Sequence, residues 1–236
     1  MMRRALSFLT PLGGATTPDN AALSWFSVVG AAIGLAVGTI WWAASKGWAP
    51  WPAAALALCA DLALTGLLHV DGLADSADGL LAPMTRQQRL EAMADPAVGA
   101  FGVTAVVAVL LLRVSALATA VPSPLAVGGL WCVSRAVVAL IAQHLPYARP
   151  GGLVEGFRSP SRHPRATLVG GVALGVAMAA AARGGRGGVA AAVEVLTMAA
   201  VTVTALRRLG GFTGDVLGAA VVIGETAGLL VLAWHP

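Results

Sequence analysis

The sequence predicts an all-α, polytopic transmembrane helix bundle of about seven spans, six to eight, in a single integral membrane domain over residues 1–236. Three observations predict it. Hydrophobic residues fill 58% of the 236 positions and charged residues only 11%. Mean hydropathy is +0.81. The apolar residues also fall into separate runs of about 20, the length a helix needs to cross ~30 Å of hydrocarbon. A soluble domain carries about 25% charged residues, and this chain has too few to build a solvated shell.

The runs are 21–44, 48–68, 100–121, 124–143, 166–182, 187–206 and 216–234. None alternates apolar and polar residues over barrel-strand lengths, which argues against transmembrane strands. Residues 1–12 contain Arg3 and Arg4 but no apolar core with a small-residue cleavage site, so the first span is expected to persist. Cys59 and Cys132 sit inside apolar runs and read as small hydrophobes. The net charge of +4 does not point to nucleic acid, because the basic residues form short clusters between apolar runs.

Those clusters orient the chain. With the N-terminus inside, the inner segments carry Arg3, Arg4, Arg86, Arg89, Arg149, Arg158, Arg162, Arg165, Arg207 and Arg208, and the outer ones only Lys46, Arg183 and Arg186. The polar segments 69–99, 144–165 and 207–215 then share the cytoplasmic face of the cell membrane, and any chemistry faces the cytoplasm.

The densest polar signal is His69-Val70-Asp71-Gly72-Leu73-Ala74-Asp75-Ser76-Ala77-Asp78-Gly79. On a helix, Asp71, Asp75 and Asp78 share one face about 60° wide. Three anions on one face repel and call for a cation. Asp71 and Asp78 are ~10 Å apart along the axis, so either two ions bind or another segment completes one site. All-oxygen ligation fits Mg²⁺ or Mn²⁺ with phosphate oxygens. The plainer reading is a capping cluster or a solvated face.

The second signal is Arg207-Arg208-Leu209-Gly210-Gly211-Phe212-Thr213-Gly214-Asp215. Here glycines and a helix N-terminus suit an anion. Asp215 reads either as the N-cap of the last helix or as the missing metal ligand beside a phosphate loop formed with Arg208, Gly211, Thr213 and Gly214. Arg86, Arg89 and Arg149 read either as a polyphosphate clamp or as topology signals. Asp61, deep in an apolar run, reads as an ion-pair partner of Arg113 or Arg135 or as a substrate contact, and Glu225 is a further buried carboxylate. His163 and His235 read as ordinary loop and terminal residues.

The run from His69 to Gly79 resembles the signature of the cobalamin synthase family, adenosylcobinamide-GDP ribazoletransferases. Met93-Ala94-Asp95-Pro96-Ala97-Val98-Gly99-Ala100-Phe101-Gly102, Pro146-Tyr147-Ala148-Arg149 with Gly151, and Gly210-Gly211-Phe212-Thr213-Gly214-Asp215-Val216-Leu217-Gly218 resemble its later motifs. Phe8-Leu9-Thr10 resembles its opening. The likeness runs in order along nearly the whole chain. Two departures stand out: Ala94-Asp95-Pro96 where the family has Lys-Asp-Ser, and Pro11 where Arg is common.

The resemblance implies a late step of cobalamin biosynthesis, in which α-ribazole or its 5′-phosphate displaces GMP from adenosylcobinamide-GDP with Mg²⁺ as cofactor. It implies Asp71, Asp75, Asp78 and Asp215 as metal ligands and His69 as a base or substrate contact. The expected partners are the corrinoid nucleotide, α-ribazole and the lipid bilayer, with self-association or association with other late cobalamin-assembly enzymes left open. The rival in the same chemistry is a CDP-alcohol phosphotransferase, whose pattern wants Ala-Arg where this chain has Asp75-Ser76. A prenyltransferase would want a second Asp-rich motif, and a transporter would place its carboxylates near mid-membrane.

Overall fold

A computed structural model describes residues 1–14, 20–149 and 165–235 of the chain. It is helical: α1 (Met2–Leu9), a 3-10 turn (Pro11–Gly13), α2 (Asn20–Leu23), α3 (Phe26–Ala44), α4 (Pro50–Thr65), α5 (Leu68–Leu81), α6 (Arg86–Ala92), α7 (Ala100–Thr119), α8 (Pro124–His144), α9 (Arg165–Arg183), α10 (Gly185–Leu209) and α11 (Gly214–Ala233). Among the described residues there is no strand, only an isolated bridge between Tyr147 and Phe212. Local chemistry sets the ends. Pro50 and Pro124 open α4 and α8, Thr85 and Gln88 form a capping box on α6, and Thr213 caps α11.

Five helices (α3, α7, α8, α10 and α11) are long and apolar enough to cross a bilayer, and a sixth span arises if α4 and α5 are joined. α9 is a shorter apolar helix. All seven predicted runs are therefore helices, but α4 and α9 are its short members. The run 48–68 is not one straight helix. Gly66 (φ 59°) and Leu67 (φ 63°) both adopt the left-handed conformation, and the chain turns 88° between α4 and α5. Helix α11 also begins two residues earlier than the run 216–234 suggested.

α8 is the central helix, and glycines bring its neighbours close. Gly30, Gly34 and Gly38 of α3 lie against the α8 backbone around Trp131, Val127 and Pro124. A Cβ on Gly175 of α9 would stand 2.6 Å from the Gly129 carbonyl oxygen. Without a hydrophobic drive inside lipid, such close backbone approach supplies the dispersion contacts that hold helices together. Leu111, Leu196 and Val107 stay exposed on the outer faces, as lipid contact requires. At the bundle end away from α5, Trp48, Trp51 and Trp234 are exposed, as in an interfacial aromatic belt.

After its bend, α5 lies across helix ends instead of continuing α4. It meets the first turn of α7 through Asp78, the first turn of α11 through Gly72, and the last turn of α10 through Leu80. The acidic run therefore sits at one end of the bundle, outside the spanning segments.

Candidate functional site

The carboxylates come together from two helices. A Cβ on Gly72 would stand 2.7 Å from the Asp215 carbonyl oxygen, and one on Gly218 would stand 3.2 Å from the His69 Cα. These two glycines let α5 and α11 cross almost in backbone contact, placing Asp71 and Asp75 beside Asp215. Burial, then Asp215 and Asp71, push the Asp75 carboxyl up to about 6, with Asp78 adding and Arg149 opposing. Asp75 thus feels the other three carboxylates together more strongly than it feels Arg149.

Asp78 differs from the rest. One of its oxygens accepts from the Gly99 N–H at 2.7 Å and the other from the Gly102 N–H at 2.9 Å. Gly99, the N-cap of α7, has no side chain to do this itself, so Asp78 supplies the cap from α5. Asp215 sits in the first turn of α11 but is not its cap. That role belongs to Thr213, whose Oγ1 accepts from the Val216 N–H at 3.2 Å and donates to Asp215 Oδ2 at 3.3 Å.

The arginines separate in the same way. Arg149 approaches Asp215 at 3.8 Å and donates to the Leu90 carbonyl at 3.2 Å. Arg86 donates to the Leu209 carbonyl at 2.7 Å and the Ala148 carbonyl at 3.1 Å. Arg89 donates to the carbonyls of Gly79 at 2.8 Å and Leu80 at 3.0 Å, and Arg208 also donates to Leu80. Arg89 and Arg208 therefore cap the C-terminus of α5. Gly211 permits a backbone junction in which Phe212 N–H donates to Pro146 and Ala148 N–H donates to Phe212, at 3.0 and 2.8 Å. Gly151, Arg158, Arg162 and His163 lie outside the described residues.

A cavity of about 390 Å³ opens beside these carboxylates. Asp71, Arg149, Tyr147, Gly214 and Asp215 line it, with His69 and Arg135 and apolar walls from α1, α5, α8 and α11. The His69 side chain is buried. Burial, then Arg135 and Arg113, hold its imidazole well below the ordinary range, so the ring is neutral near pH 7. Sequence reasoning assigned Arg135 only to a buried pair and gave no role to Val138, Leu217 or Val221. Helical spacing from Gly214 to Leu217, Gly218 and Val221 was the signal that could have placed the latter two on one stripe with the site.

Among the described residues, no three His, Cys, Asp or Glu side chains converge tightly enough, as they stand, to share one ion. The donor chemistry nevertheless suits a hard divalent cation. Asp71, Asp75 and Asp215 offer only oxygens, and the strained ionisation of Asp75 is what an incoming cation relieves.

Asp61 resolves as a structural ion pair. It sits 3.2 Å from Arg113 and accepts from Trp131 Nε1 at 2.9 Å. Arg113 and Arg135 both bind Glu225, which also accepts from Ser134 at 2.9 Å. Glu194, a residue the sequence reading passed over, is buried beside them.

No solved structure matches the chain. A protein from Bradyrhizobium diazoefficiens named adenosylcobinamide-GDP ribazoletransferase is 37% identical, over 98% of this chain and 92% of that protein. Proteins of the same name from Brucella ovis and Brucella canis are each 39% identical over 78% of this chain and 74% of theirs. The model of the cobalamin-5-phosphate synthase family matches residues 1–233, and the chain belongs to that family.

Proposed function

We propose that the protein is an adenosylcobinamide-GDP ribazoletransferase acting at a late step of cobalamin biosynthesis. Family membership supports the activity, and the observation that carries the assignment of the site is Asp71 and Asp215 lining a cavity with Asp75 close to both. Nothing in the comparisons favours a CDP-alcohol phosphotransferase.

In the reaction, the ribose 3′-hydroxyl oxygen of α-ribazole or its 5′-phosphate forms a bond to the cobinamide-side phosphorus. The bond from that phosphorus to the GMP oxygen breaks, and the hydroxyl proton passes to a carboxylate. Arg149, half-buried at the cavity mouth, holds phosphate oxygens. His69 is held neutral and orients substrate inside the cavity, while Asp78 fixes α5 against α7. Asp71, Asp75 and Asp215 would hold Mg²⁺, or Mn²⁺ in its place. That ion, when bound, would shield the diphosphate and the charge gathering on departing GMP.

The site faces the cytoplasm in this reading, with the N-terminus on the same side of the cell membrane. The excess of Lys and Arg in segments at the site end supports that orientation. The deciding experiment is GMP release from adenosylcobinamide-GDP and α-ribazole by the purified chain in detergent, with and without Mg²⁺. Metal-dependent GMP formation is expected. Folded protein that yields no GMP under any divalent cation would end the reading.

A further inference from the structure

The cavity has two chemically distinct ends. Its outer end carries Asp71, Arg149 and Asp215, whose side chains keep contact with solvent. Its inner end is apolar, formed by Leu217 and Val221 of α11 and Val138 of α8, all buried. From Gly214 to Val221 the slot follows α11 for ~10 Å. Two polar side chains interrupt the inner walls, His69 and Arg135, both more than nine-tenths buried. The Nε of Arg135 has no hydrogen-bond partner among the described residues. An orphaned buried donor is costly and calls for an acceptor.

Size and polarity select the occupant. At about 390 Å³ the cavity sits near the low end of small-ligand sites. A corrin ring bearing its own nucleoside is far too large. A guanine base would bring a row of donors and acceptors against Val138, Leu217 and Val221 and leave most of them unmatched. A flat, largely apolar heteroaromatic base with one ring-nitrogen acceptor matches the walls and the single orphaned donor.

We propose that this cavity takes the smaller substrate, an aromatic nucleoside, with its apolar base inward against Val138 and Val221 and its ribose at the carboxylates. The large corrinoid nucleotide then stays at the mouth and presents only its diphosphate to Arg149 and the acidic cluster. This rests on the transferase reading, in which the nucleoside is α-ribazole. The two substrates are thereby sorted by size: one enters the bundle and the other docks on it.

The test is direct binding of α-ribazole alone to the full chain in detergent, without corrinoid or metal, followed by steady-state kinetics. Wild type is expected to bind α-ribazole, and GMP is expected not to displace it. Val221→Phe, which fills the inner end, should raise the α-ribazole KM about tenfold or more while leaving the adenosylcobinamide-GDP KM within about twofold. Val221→Ala, which enlarges the same end, should improve acceptance of bulkier base analogues, and it keeps the test readable if the Phe variant does not fold. The proposal is overturned if GMP displaces α-ribazole competitively, if α-ribazole does not bind alone, or if Val221→Phe raises the corrinoid KM instead. The transferase reading fails separately, through wild-type protein that binds α-ribazole but never releases GMP.

Discussion

Asp61 and Glu225 lie in the apolar middle of the bundle with Arg113 and Arg135 against them, whereas Asp71, Asp75 and Asp215 gather at one end, where Arg149 is the cation facing them among the described residues. The inner set is held by Trp131 and Ser134 as well, and Arg113 stacks 4.8 Å from the Trp131 ring centre. The outer set has few such partners, and its carboxylates raise one another's proton affinity. Burial explains the difference. An ion deep in a bilayer has no water to fall back on, so the protein must bring its counter-ion. At a wet bundle end, an anionic surplus is tolerable and remains open to a cation and a substrate. Charge balance thus separates the carboxylates that hold the fold from those available for chemistry. Glu194 is the intermediate case: it feels the field of Arg113 and Arg135, yet neither of its oxygens has a hydrogen-bond partner among the described residues.

The largest way to break this contrast is Arg113→Leu. Removing one partner leaves Asp61 and Glu225 under-compensated, at a cost of about 3–5 kcal/mol. A collapse of the monodisperse peak in detergent chromatography, with a much lower melting temperature, is expected. Partial recovery in the Arg113→Leu/Asp61→Leu double variant would tie the loss to that pair, and a single variant as stable as wild type would remove the inner set's structural role.

Asp75→Asn should do the opposite. GMP release is expected to fall about a hundredfold or more, while the metal-free protein melts at a higher temperature because a repelled anion is gone. Loss of both activity and stability would place Asp75 with the inner set.

Asp78→Ala tests the cap assignment. Losing both acceptors at the start of α7 should cost about 1–2 kcal/mol in thermal unfolding, with Mg²⁺ binding preserved in equilibrium titration. Abolished Mg²⁺ binding in folded Asp78→Ala protein would return Asp78 to the metal ligands.

The pH dependence is smaller still. Because the fold raises the Asp75 pKa, it favours the protonated carboxyl. That stabilisation is complete below the ordinary value near 3.8 and is lost as pH rises through about 6. Melting temperature of the metal-free protein should therefore drift down between those values, and the drift should shrink in Asp75→Asn. The mildest test is Leu67→Gly, which relieves the one positive-φ non-glycine among the described residues and should stabilise by up to about 1 kcal/mol.

Much of this was legible in the chain. The i, i+4, i+7 spacing of Asp71, Asp75 and Asp78 placed them on one helical face because helical period is a local property. The meeting with Asp215 was one of the readings the sequence left open, since a cation held by two of the three carboxylates would need further ligands from another segment. The bend at Leu67 was hidden because a leucine is the wrong residue to announce a left-handed turn. The work of Arg89 and Arg208 was hidden too, since both donate to main-chain carbonyls of α5 that no side-chain pattern marks. Asp78 looked like its neighbours until the start of α7 brought two N–H groups that donate to it. Glu194 could have been found by the same criterion that singled out Asp61, a lone acid in an apolar run.

The cavity's walls come from opposite ends of the described chain: Phe8 and Leu9 of α1, and Gly214 to Val221 of α11. During synthesis, the early helices enter the membrane before the last wall exists. Arg113 already has Asp61 of α4, but Arg135 must wait in the bilayer for Glu225 until α11 leaves the ribosome. A transcript cut short before α11 would therefore give no dimmed version of this protein. It would give an open bundle with Arg135 stranded, a target for the proteases that clear unfinished membrane proteins.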